Sequence, residues 1–596
     1  MRRFVGSTNL SRVRHSTQNY RHQPILVRSS SSTTPQNEKP LIRIAIVGGG
    51  VTGLSTALQL APLVERGLIA KPIDLYERTC LSDIHPHEKS SVINEHFHPG
   101  TGTLGRDIGV GIWSTALQPF LRSSHKDKPL GSHVDLIEKL EHLGQYVDKV
   151  GYRTPSGSWL TKTRLNPLSV KESQASNITE PSLLFIREKD FLSSLREVVA
   201  IEEEEHGTIR THYAKSTTDT STQVDQIILP KDGDGVHKGL SGSLLFNDQS
   251  TSPEYNIIIA ADGMESTLRS KYAGYESYIK RWKQNMETMS EHSDAWEKQQ
   301  IDETNAIEDR KYVVFRGNSP LNNSEANMDG VSFQTWGEGK SMRFAAVGMS
   351  HPNDNDTARC EKQVWFATIC DAEICSKNDA EERKQLLLAS FQEWHDPVCR
   401  LIESTPAEDI FMEGGVAHKH SLVPVLNLAD VINYQARSSK DKDGYSTSYP
   451  RRTEPGPILL FAGDAFMTVD PVLAQGFTIT MEAAADLAIT LESCLGNKKA
   501  DEPAFDSEAV RKALVERNDR RYGRIMCLIR STELVQSMAQ PVSDSFASLL
   551  TRDVVRPAMR FVPCFIKKAA FSRVMKYSLG FYGDYTLTGS TKDNDK

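Results

Sequence analysis

Three apolar runs, far apart in the chain, share one grammar: a short buried strand, an abrupt polar or glycine turn, then a helical pattern. The first is Ile42-Arg-Ile-Ala-Ile-Val47, followed by Gly48-Gly49-Gly50-Val51-Thr52-Gly53 and a helix-spaced set of Leu54, Ala57, Leu58 and Ala61. Pro62 predicts an early end or a kink in that helix. A second strand, Ile73-Asp-Leu-Tyr76, ends in Glu77. The second run leads from Tyr255 through Ala261 into Asp262-Gly263, with Ser266 and Arg269 in the short helix that follows. The third is Ile458-Leu-Leu-Phe-Ala-Gly463-Asp464-Ala465, continuing through Asp470-Pro471 and Gln475-Gly476 into an apolar helix from Thr478 to about Leu495.

The glycines of the first turn have separate physical roles. Gly48 permits the tight turn, Gly50 lets a pyrophosphate approach the backbone, and Gly53 lets the helix lie close on the strand with its N-terminal amides facing the anion. A carboxylate at Glu77 accepts hydrogen bonds from the two hydroxyls of an adenosine ribose. This fingerprint indicates a dinucleotide and does not separate FAD from NAD.

Composition narrows the class. The 596 residues suffice for three to five units, or two large ones with insertions, at roughly 100–200 residues per domain. With 38% hydrophobic and 25% charged residues the chain is globular, and a net charge of −7 gives no reason to expect nucleic acid as a partner. No apolar run reaches the length of a spanning helix. The eight cysteines (Cys80, Cys360, Cys370, Cys375, Cys399, Cys494, Cys527 and Cys564) form no C-x-x-C pair and read as reduced thiols.

The order of the three motifs resembles that of the class A flavoprotein aromatic hydroxylases, the family typified by p-hydroxybenzoate and salicylate hydroxylases. The residues that carry the likeness are the G-x-G-x-x-G turn with its acid, an A-D-G-x-x-S-x-x-R motif at Ala261–Arg269, and a G-D-A motif at Gly463 followed by P-x-x-x-Q-G at Pro471–Gly476. Weaker matches are Gly109-Val-Gly-Ile112, Leu184-Phe-Ile-Arg187 with Phe191 and Leu195, and the strand-like stretches around Arg316, Trp336 and Arg343. Two departures leave the substrate open: Phe466-Met467 stand where the family often has Ala-His, and G-Q-G reads Ala474-Gln475-Gly476.

The resemblance implies an α/β fold: a discontinuous Rossmann-like FAD-binding domain, a β-sheet substrate domain and a helical C-terminal region. It places the FAD domain at about 41–120, 181–273 and 455–495, the substrate domain at about 121–180 and 310–430, and the helical region at 501–596. It also implies a cofactor set. Gly48, Gly50 and Gly53 hold the pyrophosphate, Glu77 with neighbouring Arg78 the adenosine ribose, and Arg187 lies beside the dinucleotide. Asp262 and Gly263 serve the pyrophosphate region and NAD(P)H docking, Gly463 and Asp464 the ribityl or pyrophosphate moiety, and Pro471 and Gly476 the isoalloxazine. The implied activity is monooxygenation: NAD(P)H reduces FAD, O2 adds to give a flavin C4a-hydroperoxide, and an aromatic or other apolar small molecule is hydroxylated. Arg316, Trp336 and Arg343 are candidates on the substrate side, and no catalytic base is assigned. The alternatives are a FAD-dependent reductase or dehydrogenase acting on a quinone- or lipid-like substrate, and a non-catalytic FAD-binding protein.

The remaining segments read as tails and insertions. Residues 1–37 hold six arginines and no acid, the composition of a transit peptide with a mitochondrial address first and a plastid one second; the bland reading is a disordered tail on a cytoplasmic protein. Polar stretches near 216–241, 275–309 and 435–455 read as surface insertions, and Glu202–Glu205 as a solvated helix end or loop. His85, His87, His96 and His98 have no third ligand at a diagnostic spacing, so no metal is assigned. Residues 551–577 carry seven basic side chains and one acid among apolar ones, which suits either a helix packed on the parent domain or a peripheral membrane contact.

Overall fold

In the computed structural model the first apolar run is β1 (Ile44–Val47), with all four side chains buried. The structure describes residues 41–80, 108–121, 131–175, 182–216, 219–229, 240–273, 307–337, 342–369, 374–418, 425–428, 456–467, 475–496, 506–539 and 561–569, apart from a few single positions within these spans. The amino-terminal segment, the paired histidines, Pro471 and most of the three polar insertions lie outside the described residues.

After β1 come α1 (Val51–Glu65), β2 (Ile73–Cys80), β3 (Gly109–Trp113), α2 (Ser114–Leu117), α3 (Gly131–Leu143), β4 (Gln145–Tyr146), β5 (Lys149–Arg153), β6 (Trp159–Arg164) and α4 (Val170–Ala175). Next are β7 (Leu183–Arg187), α5 (Glu188–Ile201), β8 (Ile209–Ala214), β9 (Val224–Ile228), β10 (Gly242–Phe246), β11 (Thr251–Tyr255), β12 (Ile257–Ala260) and α6 (Thr267–Ala273). Then follow β13 (Ile307–Ser319), β14 (Ser332–Trp336), β15 (Arg343–Asn353), β16 (Asp356–Ile369), α7 (Ala380–Phe391), α8 (Val398–Ser404), β17 (Phe411–His418) and β18 (Val425–Asn427). The series ends with β19 (Ile458–Phe461), α9 (Gly476–Gly496) and α10 (Ser507–Ala539).

The fold is α/β. Its first sheet has the order β18-β19-β12-β1-β2-β8, parallel throughout except for β18, which pairs antiparallel with β19 at the edge. The three motif strands β1, β12 and β19 are adjacent, so their C-terminal turns emerge side by side. Parallel strands covered on both faces need continuous apolar runs, and these supply them. Ile44, Ile46, Ile257, Ile259 and Leu460 pack with Leu54 and Leu58 of α1 and Leu487 and Leu491 of α9; Ala45, Val47, Ile258 and Phe461 pack with Leu244, Phe246 and Tyr255 of the β9–β11 meander. Helix α1 runs through Pro62 to Glu65 instead of ending there. Only the last turn loses a bond, and the Arg66 N–H still donates to the Pro62 carbonyl at 3.2 Å.

A second sheet, β17-β13-β16-β15-β14-β5-β6, is antiparallel except at the β14–β5 pair. One face carries Phe315, Phe333, Phe344 and Trp365 against Phe391 of α7 and Leu401 of α8. The stretch from 121 to 180 divides: α3 joins the core of the first sheet through Leu136, Ile137 and Leu140, whereas β5 and β6 belong to the second sheet. Among the four consecutive glutamates, Glu202 departs from the expected solvated run. It is fully buried and accepts hydrogen bonds from Ser132 Oγ (2.7 Å) and Thr208 Oγ1 (2.8 Å), which offset its desolvation.

Candidate cofactor site

The first turn is shaped by close approach. Gly48 has φ +110°, its N–H donates to Tyr76 O at 2.8 Å, and a Cβ there would lie 2.4 Å from the carbonyl oxygen of Ala261. A Cβ on Gly53 would lie 1.8 Å from the Gly48 carbonyl oxygen, so the helix start and the turn are in direct backbone contact. Gly50 is the N-cap of α1; no side chain caps this terminus and its first turn holds no acid. Its amides are therefore left for an anion. Glu77 lies inside β2, which runs on to Cys80 instead of ending at the acid; it is 4% exposed and accepts N–H bonds from Gly49 (2.5 Å) and Thr79 (2.8 Å), with Arg78 exposed beside it.

The second and third turns close on the first. Gly463 has φ +57°, and a Cβ there would sit 2.0 Å from Thr52 Oγ1 on α1. Arg269, 1% exposed, donates from Nη1 to the carbonyls of Asp464 (2.9 Å) and Ala465 (3.2 Å) and from Nη2 to that of Met264. One guanidinium thus ties the Asp-Gly turn to the Gly-Asp-Ala turn. Asp262 accepts the Thr267 N–H through Oδ2 (3.0 Å), while its Oδ1 is enclosed with no partner, and burial pushes its carboxyl up. Gly263 (φ +79°) has open space above it. Asp464 keeps some accessible surface, yet protein atoms crowd it. That desolvation pushes its carboxyl up to about 6, against the lowering influence of Arg269.

Helix α9 begins at Gly476, again with open space where a side chain would stand and no acid in the first turn. The preceding Gln475 is 1% exposed, and neither atom of its amide has a partner. The G-x-G-I stretch is β3, and it docks on this helix: the Trp113 N–H donates to Thr478 Oγ1 at 3.0 Å, and Thr115 Oγ1 to Glu482 at 2.8 Å. Arg187, the N-cap of α5, is 4% exposed and grips Asp190 with Nε and Nη2, the latter at 3.0 Å. Of the sequence candidates, Gly48, Gly53, Asp262, Gly463 and Asp464 are brought together by these contacts.

The second sheet turns a mixed polar face away from its helices. Cross-strand register sets Tyr152, Gln334, Ala345, Phe366 and Arg316 in one row across five strands, and Arg343 opposite positions 336 and 368 in the next. Directly paired residues share a face, because side chains alternate along each strand. Toward one end of this face, Val347, Met349, Val364 and Phe366 pack against Trp113, Leu183 and Phe185 of the small β3-β7-β4 sheet. Arg316 stacks on Phe366 at 5.3 Å, and Arg343 is 7% exposed. Burial pushes the Tyr152 hydroxyl up, with Arg343 acting in the opposite direction.

Two groups escaped the sequence reading. Arg269 was visible as the last residue of its motif, but only its distant carbonyl partners reveal a clamp. On α10, Arg517, Arg521 and Arg524 are each at most 4% exposed and face Asp486 and Glu482 of α9 at 3.3–3.6 Å. Their spacing is equally that of a solvated helix face. A cavity of about 20 Å³ between α9, α10 and the Gly463 turn has room for one water and is too small for a nucleotide.

No family model and no curated protein sequence matches the chain. Solved structures do. HpxO of Klebsiella pneumoniae, complexed with FAD and uric acid, superposes at a TM-score of 0.53 with 15% identity, over 90% of this chain and 97% of that one. A single-residue variant of the same protein complexed with FAD gives the same score and identity, over 90% and 98%. The 2,6-dihydroxypyridine-3-hydroxylase of Arthrobacter nicotinovorans follows at 0.50 and 14%, over 84% and 94%. This is the class A flavoprotein monooxygenase fold.

Proposed function

We propose that the protein is a FAD-dependent monooxygenase that uses NAD(P)H and O2 to hydroxylate an aromatic or other apolar small molecule. One observation carries the reading: three turns separated by hundreds of residues meet through Gly48–Ala261, Thr52–Gly463 and Arg269–Asp464 contacts, beneath an uncapped helix N-terminus. A single dinucleotide-binding turn needs neither of the others. The residues fit the cofactor: the α1 amides would hold the pyrophosphate, Glu77 the adenosine ribose, and Asp464 the ribityl or pyrophosphate moiety. The partial positive charge at the N-terminus of α9 suits the negative charge of a reduced flavin. Bound FAD would supply the redox chemistry, accepting hydride and activating oxygen.

The substrate side is supported by the mixed face of the second sheet. Phe366 and Ala345 offer apolar contact, while Arg316, Gln334, Arg343 and Tyr152 offer polar groups that orient a ring. These residues would bind and orient the ring. The acid-free amino-terminal segment supports mitochondrial import. At the other end, Phe561, Phe565 and Ile566 are 88%, 73% and 45% exposed, which favours peripheral membrane contact over packing on the parent domain.

The test begins with an absorption spectrum of the purified protein and identification of the released cofactor. NADH or NADPH with labelled O2 then separates the alternatives. Label in a hydroxylated product supports the proposal, cofactor oxidation without label supports a reductase, and a colourless protein that takes up no FAD refutes all three flavin readings.

A further inference from the structure

On the helix-covered face of the second sheet, one half-buried histidine sits at a junction. His395 lies in the link between α7 and α8. Its backbone N–H donates to Pro155 O at 2.8 Å in the β5–β6 turn. Gly157 of the same turn lies so close that a Cβ there would stand 2.9 Å from the His395 Cβ. The two ring nitrogens bond in different directions: Nδ1 to Asp396 O at 2.6 Å, and Nε2 to the Thr335 hydroxyl of β14 at 2.7 Å. The link is thus tied both to the β5–β6 turn and to β14. Those strands meet in the one parallel pairing of this sheet, and parallel ladders are slightly weaker per residue.

The bonding pattern sets the protonation state. A carbonyl oxygen only accepts, so Nδ1 carries a proton; in the neutral ring Nε2 is then an acceptor, and the Thr335 O–H donates to it. Thr335 is fully buried, and among the described residues its hydroxyl has no other partner. A proton added at Nε2 reverses that bond and leaves the Thr335 O–H without an acceptor inside the protein, which is costly. The new charge also meets a cation. Arg153 of β5 stands opposite Thr335 in register, and its guanidinium lies 4.9 Å from the centre of the Phe333 ring, which flanks His395 at 5.4 Å. Lys162 of β6 stands beyond it, over Trp159, while β14 and the β5–β6 turn contribute no charged side chain. The Asp396 carboxylate attracts the charge but is exposed and paired with Arg400 of α8 at 3.3 Å. Burial, with Arg153 acting in the same sense, holds the imidazole below its usual 6.5, against the carbonyl and carboxylate of Asp396.

We infer that His395 is an acid-sensitive clip: neutral, it fastens the β5–β6 turn and β14 to the α7–α8 link, and its protonation loosens that junction. The fold favours the neutral ring, so the clip's contribution is fully present above the unfolded value of about 6.5 and is lost as pH falls through the lower folded value. Tyr152 and Gln334 are paired neighbours on the two fastened strands and point to the opposite face, so loosening the clip reaches that face. The device belongs to the second sheet and operates whether or not a flavin is bound.

Amide hydrogen exchange of the full-length protein, read by mass spectrometry at pH 7 and pH 5 and corrected for the intrinsic pH dependence of exchange, tests the clip. In the wild type, the peptides spanning 149–164 and 332–336 lose protection several-fold at pH 5 relative to those of β1 and β12. His395→Gln keeps an acceptor for the Thr335 O–H and does not titrate, so its protection in these peptides is the same at both pH values. Thr335→Val removes the hydroxyl whose proton would lose its acceptor; it shrinks the change and carries the test if the glutamine variant does not fold. Wild-type protection that is equal at both pH values, a loss shared equally by β1 and β12, or a glutamine or valine variant that keeps the whole change overturns the inference.

Discussion

Gly53 and Asp464 show how differently single residues constrain this site. At Gly53 the constraint is steric: a methyl group would lie 1.8 Å from a backbone oxygen that has no side-chain freedom to yield. Gly53→Ala therefore destabilises the fold by about 1–3 kcal/mol or more, read as a lower urea midpoint. An unchanged midpoint would show that strand and helix separate at no cost. At Asp464 the constraint is electrostatic. Burial raises its carboxyl from 3.8 to about 6, so the folded flavin-free chain favours the neutral form. Its contribution is fully present below the unfolded value and is lost as pH rises through about 6, a change of about 3 kcal/mol. Asp464→Asn removes this step: between pH 5 and 7 the melting temperature of the wild type falls relative to the variant. Parallel curves would contradict the raised value.

Elements hold the turns where residues alone do not. Helix α9 presents Gly476 at its N-terminus, and its other side is fixed to α10 by ions: Glu482, 1% exposed, faces both Arg521 and Arg524. Removing the carboxylate takes the counter-charge from two buried guanidiniums, so Glu482→Ala costs about 3–5 kcal/mol in chemical denaturation. The exposed Arg511–Glu508 pair on α10 is the control: Arg511→Ala changes stability by at most about 1 kcal/mol. Equal effects would mean that the buried cluster is not the device holding α9. Sequence reading recovers the strand-turn-helix units because each is local; apolar runs and glycines a few residues apart define them. It leaves α10 ambiguous, since arginines at helical spacing look alike whether they face water or a buried acid.

At the scale of the whole molecule, two sheets of different kind stand in one chain. Parallel strands gather the three motif turns at their C-terminal ends, while the second sheet offers a face that is apolar where it meets Trp113 and Phe185 and polar at Arg316, Gln334 and Arg343. The C-terminal stretch adds a surface: Phe561, Phe565 and Ile566 stand in the open within a segment of seven basic residues and one acid, on a chain of net charge −7. Vesicles rich in anionic lipid are expected to carry the full-length protein upward in a flotation gradient. Phe561→Ser with Phe565→Ser reduces that fraction several-fold, and an equal fraction for both proteins would assign these side chains another role.

The amino-acid sequence by itself determined the three turns and the order in which they occur. The glycines at 48, 53 and 463 and the acids at 77, 262 and 464 are legible because each stands in a local strand-and-turn pattern. Tertiary structure alone decided what those turns touch. Thr52 meets Gly463, Arg269 reaches carbonyls 195 and 196 residues away, and Arg316 falls into one row with Gln334 and Tyr152. Such partners follow from strand order and register, which arise when distant apolar faces are buried together, and no local pattern encodes them.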